Sequence, residues 1–315
     1  MPPLSRRAPA AATPRPPGWP RPPGWPGRAE SARVGTSAPE PRSPSVPSSP
    51  SDTPTRDGGR RLPGRLLART VGGAPPRGLD PEAGVVVTDV GRADDPAVVL
   101  VHGIGVSERY YRGLARELAP DRRVLVPDLP GFGRSPRPSR VPAVEDLADV
   151  VLAVLRHRGI ERATLVGHSM GAQVVAEAML RAPEVVERVV LIGAVVDPGA
   201  PSVLRQALRL AKDGLHEPLR VNAVVASDYL RTGPSWYSAV LPHMFAYDTA
   251  GAVSRLPGPA LVVRGEHDPV SSRAWARRLG ALAPRADVRE VPGAGHVAMA
   301  SHPPLLARWV REAPC

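Results

Sequence analysis

The stretch Val166-Gly167-His168-Ser169-Met170-Gly171 decides the fold of this chain. It follows the apolar run 163–166, which is typical of a buried strand, and precedes apolar residues at helical spacing. A serine with a glycine two residues away on each side predicts an abrupt turn from strand to helix, because glycine leaves room where two backbones approach closely. Such a turn, a nucleophile elbow, projects the Ser169 hydroxyl and directs the helix N-terminus towards it.

The G-x-S-x-G spacing alone is weakly specific, since glycine supplies 30 of the 315 residues and chance matches are common. The context adds the specificity, because strand, turn and helix occur in the required order. The residues that give the helical spacing are Ala172, Val175, Ala176 and Met179.

Residues 1–79 differ in composition from the rest of the chain. They are rich in Pro, Arg, Ser, Gly and Ala, and hold 13 arginines against four carboxylates, so they carry most of the net charge of +11. Such a segment cannot bury enough apolar surface to offset its ordering entropy, which predicts a disordered tail. The alternative is a basic arm that binds nucleic acid or a membrane surface through Trp19 and Trp25. No nucleic-acid partner is required by the rest of the sequence.

Targeting segments are not predicted, because Pro and Gly interrupt every apolar run up to about residue 60. For the same reason we expect neither a signal peptide nor a membrane span. The sole cysteine is Cys315, so no internal disulfide is available and a cytoplasmic location is expected. Nothing in the sequence fixes the oligomeric state.

From residue 80 onwards strands and helices alternate, which predicts an α/β domain over 80–315. The alternation stops at 198–256, where interrupted helical patterns predict an inserted lid over the carboxyl edge of the sheet. Within the lid, Trp236, Tyr237 and Phe245 are expected to bind an apolar substrate. The predicted strands are 84–90, 97–101, 123–127, 163–166, 188–192, 259–263 and 287–291.

A serine hydroxyl is a poor nucleophile at neutral pH and needs a general base, which a carboxylate must orient. Asp268 and His296 each follow a late predicted strand, so the chain order is Ser169, Asp268, His296. We therefore predict Ser169 as the nucleophile, His296 as the general base and Asp268 as the orienting acid. Asp197 is an alternative acid, and Glu266 is a less well placed one.

An oxyanion hole is predicted at the loop His102-Gly103-Ile104-Gly105, which follows the strand at 97–101. Its glycines let the main chain approach a developing negative charge, and we assign the two donors to the amides of Ile104 and Met170. An ordinary glycine turn is the alternative for this segment. His102 is expected to brace the loop.

Other polar residues are predicted to be structural. Asp128 opens a loop of turn-forming residues at 128–135 and is expected to anchor it through backbone N–H groups. His168 is expected to pack beside the elbow, while His267 and His302 face solvent. No His, Cys and carboxylate set has convincing metal spacing, and no G-x-G-x-x-G follows the first strand, so neither a metal nor a dinucleotide cofactor is implied.

From about residue 80 to the end, the chain resembles the α/β-hydrolase superfamily. The matching motifs are His102-Gly103, 128–135, Gly167–Gly171, Gly265–Asp268 and Gly293–His296. The resemblance implies an eight-stranded, mostly parallel sheet flanked by helices, a helical lid after the sixth strand, and no cofactor. Serine at position 169 distinguishes the chain from epoxide hydrolases and haloalkane dehalogenases, which resemble it elsewhere but carry aspartate at the elbow.

The expected function is hydrolysis of a small-molecule carboxylic ester through an acyl-enzyme. Meta-cleavage product hydrolases, which cut C–C bonds in dienoates, share the Ser-Met-Gly elbow but usually have an aromatic residue directly after the catalytic histidine. Here that residue is Val297, which favours the ester. C–C hydrolysis is the first alternative, and a non-catalytic binding protein on the same fold is the second.

Overall fold

The computed structural model describes residues 67–71, 85–197 and 219–312, all within one compact unit, Arg61–Cys315. Most of the predicted tail, the first part of the predicted lid (198–218) and Cys315 lie outside the described residues. The expectations for those segments therefore stay predictions.

The described chain forms one mixed sheet. Its strands are β1 (Leu67–Val71), β2 (Val85–Val90), β3 (Ala97–Val101), β4 (Arg123–Pro127), β5 (Ala163–His168), β6 (Val186–Ile192), β7 (Ala260–Gly265) and β8 (Ala286–Val291). Their order across the sheet is β1-β2-β4-β3-β5-β6-β7-β8. β2 is antiparallel to β1 and β4, and the remaining neighbours are parallel. The predicted α/β class and the mostly parallel sheet are confirmed.

The first strand differs from the sequence-based expectation. The apolar runs predicted β2 to β8, whereas β1 lies in 67–71, within the segment predicted as tail. Five residues among glycines and prolines give almost no periodic signal. β1 instead forms by antiparallel pairing with β2, a non-local interaction that is absent from the local pattern.

Helices lie on both faces of the sheet. In the described residues they are α1 (Arg112–Leu118), α2 (Val144–His157), α3 (Met170–Arg181), α4 (Leu219–Thr232), α5 (Pro234–Ala246), α6 (Thr249–Ser254), α7 (Arg273–Leu282), α8 (Ala298–Ser301) and α9 (Pro303–Glu312). Val99 and Val101 of β3 pack in one apolar cluster with α2, α3 and α7. Val98 and Leu100 pack in a second cluster with α1 and α9. This alternation buries β3 on both faces, as expected for a central parallel strand.

The elbow between β5 and α3 has the geometry that its sequence predicts. Ser169 adopts φ 56° and ψ −119°, in the left-handed half of backbone space that costs a non-glycine residue about 1–3 kcal/mol. A Cβ on Gly167 would overlap the carbonyl of Gly171, and a Cβ on Gly171 would overlap the carbonyl of Val101 on β3. The two glycines are therefore required for the strand and helix to meet at this angle.

Asp128 anchors the loop after β4, as predicted. Its Oδ1 accepts the N–H of Glu108 at 2.9 Å. Its Oδ2 accepts the backbone N–H of Arg134 at 3.2 Å and the Arg134 guanidinium at 2.9 Å. Because the carboxylate is fully buried, these donors replace the water that it loses.

Candidate active site

The parallel strands end at one edge of the sheet, so the loops that follow β3, β5, β7 and β8 meet there. Each of these four loops carries one part of the predicted site. Gly103 and Ile104 follow β3, and Ser169 follows β5. Asp268 follows β7, and His296 follows β8.

Asp268 and His296 form a buried hydrogen-bonded pair. Nδ1 of His296 lies 2.9 Å from Oδ2 of Asp268. The second carboxylate oxygen accepts the N–H groups of Val270 at 2.8 Å and Ser271 at 2.9 Å. A carboxylate that is held in this way fixes the imidazole ring and places its proton on Nδ1. Nε2 of His296 is then the atom that can accept another proton.

Ser169 and His296 line the same cavity, with Ser169 8% and His296 3% exposed. Ser169 is also the residue that precedes α3, and its own N–H donates to the Ile192 carbonyl of β6 at 2.9 Å. The structure therefore brings the three predicted residues together, with Asp268 bound to the ring of His296.

The two alternative acids have other hydrogen-bond partners. Oδ2 of Asp197 accepts the hydroxyl of Ser272 at 2.8 Å. Oε2 of Glu266 accepts the N–H of Gly293 at 2.9 Å. Both interactions shape loops at the edge of the site, and Asp268 is the acid whose contact with His296 is observed.

The loop after β3 approaches the serine closely. A Cβ on Gly103 would lie 3.0 Å from the Cβ of Ser169, and Ile104 lines the cavity. Met170 is the first residue of α3, where helix amides lack intrahelical acceptors. Among the described residues, neither the Ile104 nor the Met170 amide donates to a backbone carbonyl. Both remain candidate oxyanion donors.

His102 braces this loop from behind. The N–H of Leu129 donates to Nε2 of His102 at 2.8 Å, so the ring carries its proton on Nδ1, which donates to the Gly103 carbonyl at 2.8 Å. Burial lowers the pKa of His102 below its usual value, although the Asp128 carboxylate opposes this shift. The neutral ring thus joins the loops after β3 and β4.

His168 has two polar partners rather than packing alone. Its Nε2 lies 3.0 Å from the backbone carbonyl of His296, and its Nδ1 lies 3.1 Å from the hydroxyl of Tyr110. The same hydroxyl accepts the N–H of Gly103 at 2.8 Å. Burial, followed by the nearby His296, lowers the pKa of His168 well below its usual value. Burial also raises the pKa of Tyr110.

Gly193 belongs to the site but was not predicted. It follows β6 with φ 54°, and a Cβ there would lie 3.0 Å from two atoms of the His296 ring and 3.3 Å from Oδ2 of Asp268. Its N–H donates to the Val263 carbonyl of β7 at 2.8 Å. One feature of the sequence could have predicted this position: Gly193 directly follows an apolar strand, at the same edge of the sheet as the other site residues.

The cavity has a volume of about 140 Å³, and a cavity of roughly 150 Å³ accommodates benzene. Its described lining is mostly apolar and includes Val106, Val195, Val225, Leu241, Met244 and Val270. Tyr237 and Phe245, which were predicted to bind substrate, line it. Tyr229 of α4, which belongs to the aromatic-rich part of the predicted lid, and Asn222, which the sequence did not indicate, add polar groups.

Trp236 does not line this cavity, in contrast to the sequence-based expectation. Its indole packs against Gly131, with the Arg137 guanidinium 5.6 Å from the ring centroid. On α5 the cavity is lined by Tyr237, Leu241, Met244 and Phe245, whereas the Trp236 side chain lies against the loop after β4. An interrupted apolar pattern does not show which side chains of a helix face a cavity.

The described residues contain no group of three or more His, Cys, Asp or Glu side chains arranged to hold a metal ion. None of their helices combines the length and the apolarity that crossing a membrane requires.

Comparisons with known proteins agree with this architecture. The model of the alpha/beta hydrolase family matches residues 98–309. An uncharacterized protein of Mycobacterium tuberculosis is 36% identical over 99 residues, which cover 31% of this chain and only 29% of that relative. A 2-hydroxymuconate semialdehyde hydrolase of Pseudomonas sp. CF600 is 28% identical over 244 residues, covering 68% of this chain and 85% of that protein.

A solved structure extends the comparison to three dimensions. The esterase RhEst1 from Rhodococcus sp. ECU1013 superposes with a TM-score of 0.63 at 22% identity, covering 78% of this chain and 97% of that one. At this identity the similarity concerns the fold.

His102 and His168, the two buried histidines whose pKa is lowered, predict a pH-dependent stability. A histidine that stays neutral in the folded state but binds a proton near pH 6.5 when unfolded destabilises the fold as pH falls below that value. We expect His168→Gln to reduce the slope of unfolding free energy against pH, between pH 6.5 and 5, by up to about 1.4 kcal/mol per pH unit. Urea denaturation at several pH values measures this slope. The exposed His157→Gln serves as control, and equal slopes in both variants would contradict the prediction.

Proposed function

The chain belongs to the alpha/beta hydrolase family, and we propose that it is a serine hydrolase that cleaves a small, apolar carboxylic ester. The observation that carries this proposal is that Ser169 and His296 line one cavity, with His296 oriented by Asp268 at 2.9 Å. A base that is oriented in this way is what a serine hydroxyl needs to become a nucleophile.

The proposed reaction has two halves. Nε2 of His296 accepts the proton of Ser169 while the serine oxygen attacks the ester carbonyl, and the amides of Ile104 and Met170 bind the resulting oxyanion. His296 then gives its proton to the departing alcohol, leaving an acyl group on Ser169. In the second half His296 deprotonates a water molecule that attacks the acyl group, which releases the acid and restores the serine.

The position of the elbow supports the oxyanion assignment. The N-terminal end of α3, with its positive partial charge, begins directly after Ser169. An oxyanion that forms on a serine adduct would lie beside these free amides. Donors fixed in a buried site stabilise developing charge more strongly than water does, and losing one typically costs about 10²–10³ in rate.

We propose that α4 and α5 act as a lid over the cavity. Tyr229 of α4 and Tyr237 and Phe245 of α5 line it together with residues of the sheet loops. Buried hydrogen bonds link this lid to the loop after β3: the Ser107 hydroxyl donates to Asp228 at 2.6 Å, and the Thr232 hydroxyl donates to the Gly105 carbonyl at 3.1 Å. The lid and the loop after β3, called the oxyanion loop below because it carries Ile104, would therefore be positioned together.

The cavity supports a small substrate. Its volume of about 140 Å³ accommodates a group of about the size of benzene, and its apolar lining favours an uncharged acyl or alcohol group. C–C hydrolysis of a dienoate is a second candidate, because a 2-hydroxymuconate semialdehyde hydrolase aligns over 85% of its length. Val297, in place of an aromatic residue, favours the ester.

Removing the proposed nucleophile tests the reaction class. We expect turnover of short p-nitrophenyl acyl esters by the full-length protein, and a loss of about 10⁴-fold or more in kcat for Ser169→Ala, because only the contributions of substrate binding and the oxyanion hole remain. Steady-state kinetics over the acyl series measures this, beside a dienoate C–C substrate. Ser301→Ala, which removes a hydroxyl from α8, is the matched control and should retain activity.

The outcomes separate the candidates. Ester turnover that survives in Ser169→Ala would contradict the serine mechanism. Turnover of the dienoate without ester turnover would favour C–C hydrolysis, and no turnover of either substrate would favour a non-catalytic binding protein.

Gly193→Ala should reduce kcat by about 10- to 100-fold, because its methyl group would press on the His296 ring and small misplacements are costly in catalysis. Gly159→Ala is a matched control. Gly159 also has a positive φ, 63°, but a Cβ there meets no atom within 4 Å, so both variants carry a similar backbone cost of about 1–2 kcal/mol. Kinetics and thermal denaturation of both variants check this. Equal kcat values in the two variants would refute a role for Gly193.

A further inference from the structure

Four buried groups form a continuous hydrogen-bonded chain beside the serine. Gly103 N–H donates to the Tyr110 hydroxyl at 2.8 Å, and this hydroxyl lies 3.1 Å from Nδ1 of His168. Nε2 of His168 lies 3.0 Å from the His296 carbonyl. The side chains of Tyr110, His168 and His296 are each less than 5% exposed, so the chain is shielded from competing water.

The chemistry of the end groups fixes the direction of every link. The His296 carbonyl can only accept, so Nε2 of His168 carries a hydrogen and donates. A neutral imidazole then has a bare Nδ1, which must accept the hydroxyl hydrogen of Tyr110. The oxygen of Tyr110 in turn accepts from Gly103 N–H. Each of these three hydrogen bonds therefore has one donor and one acceptor while His168 and Tyr110 are both neutral.

The hydrogen-bonded chain joins three segments of the protein that are remote in sequence. Gly103 lies in the loop after β3, which carries the candidate oxyanion donor Ile104. His168 ends β5 and directly precedes Ser169. His296 lies in the loop after β8. Ring contacts reinforce the links, with centroids 5.5 Å apart for Tyr110 and His168 and 4.6 Å apart for His168 and His296.

We propose that Tyr110 and His168 are positioning residues that hold the oxyanion loop and the general base in register with Ser169. Neither needs to exchange a proton with substrate. They fix the relative positions of three loops. These positions determine whether Ser169, His296 and the Ile104 amide can all contact one substrate carbonyl. This inference rests on the proposed serine hydrolase function.

The surroundings of His168 keep it neutral, as the chain requires. The titratable groups that face it are Tyr110, His296 and His102, and none of them is a carboxylate. Burial, followed by the neighbouring His296 and His102, lowers the pKa of His168, although its hydrogen bond to the His296 carbonyl opposes this shift. A second cation beside His296 is therefore disfavoured when His296 takes up the serine proton.

Tyr110 and Tyr111 offer a matched pair of variants. Both are buried, and their rings contact each other at 4.7 Å. The Tyr111 hydroxyl instead donates to the Val101 carbonyl at 3.2 Å. Tyr110→Phe removes the middle link of the chain but keeps the ring that forms part of the cavity wall. Tyr111→Phe removes a buried hydroxyl that lies beside that of Tyr110 but makes none of the links between Gly103, Tyr110, His168 and His296.

With the best ester found for the full-length protein, we expect Tyr110→Phe to lower kcat by about 10- to 100-fold. KM should change by less than about threefold, because the cavity wall is retained. Tyr111→Phe should keep kcat within about twofold, with a similar loss of thermal stability. A kcat for Tyr110→Phe equal to that of Tyr111→Phe would overturn the proposal, whether both variants are active or both are impaired.

His168 variants provide a rescue test that does not depend on Tyr110. Leucine has a similar volume and removes both polar links, whereas the amide nitrogen of glutamine can take the place of Nε2 and donate to the His296 carbonyl. We expect His168→Gln to exceed His168→Leu in kcat by at least about 10-fold at similar melting temperatures. Equal kcat values for the two folded variants would contradict a positioning role.

The activity of the wild-type protein distinguishes a failure of the proposed function from a failure of the positioning role. If wild type and Tyr111→Phe hydrolyse no ester, the proposed ester hydrolysis is wrong, and the positioning role that rests on it is wrong with it. If both are active and Tyr110→Phe matches them, only the positioning role fails.

Discussion

The close approach of three backbones around Ser169 is the constraint on which the rest of the structure depends. Gly167 and Gly171 let β5 turn into α3, and Gly171 also lies against the Val101 carbonyl of β3. Ser169 is thereby held at φ 56°, a strained conformation that persists only when the surroundings fix it. This backbone conformation places the Ser169 hydroxyl next to the N-terminus of α3.

The strand order converts this local constraint into a site. β5 lies in the interior of the sheet, between β3 and β6, and β7 and β8 follow on the same side. Their parallel direction brings the loops with Ile104, Ser169, Asp268 and His296 to one edge. Side-chain and backbone hydrogen bonds then join these loops, from His102 on one side to Gly193 on the other. The proposed chemistry therefore depends on packing that extends well beyond the reacting groups.

The sequence predicted the parts of this architecture that local physics determines. Buried strands give continuous apolar runs, and the elbow requires glycine at fixed positions, so the sheet and the location of Ser169 followed directly. β1 could not be predicted, because its formation depends on pairing with β2. The orientation of Trp236 away from the cavity and the partners of His168 are tertiary facts. Residue spacing predicts which side chains share one face of a helix, but it does not predict which residues that face contacts in the folded protein.

The most direct test of the central claim is to identify the atom that reacts. The full-length protein would be treated with a fluorophosphonate, digested, and mapped by tandem mass spectrometry. We expect one phosphonylated residue, Ser169, with no labelling after heat denaturation, because activation requires His296 and the folded elbow. Labelling at another residue, or equal labelling of native and denatured protein, would contradict the claim that the fold assembles a nucleophile at this position.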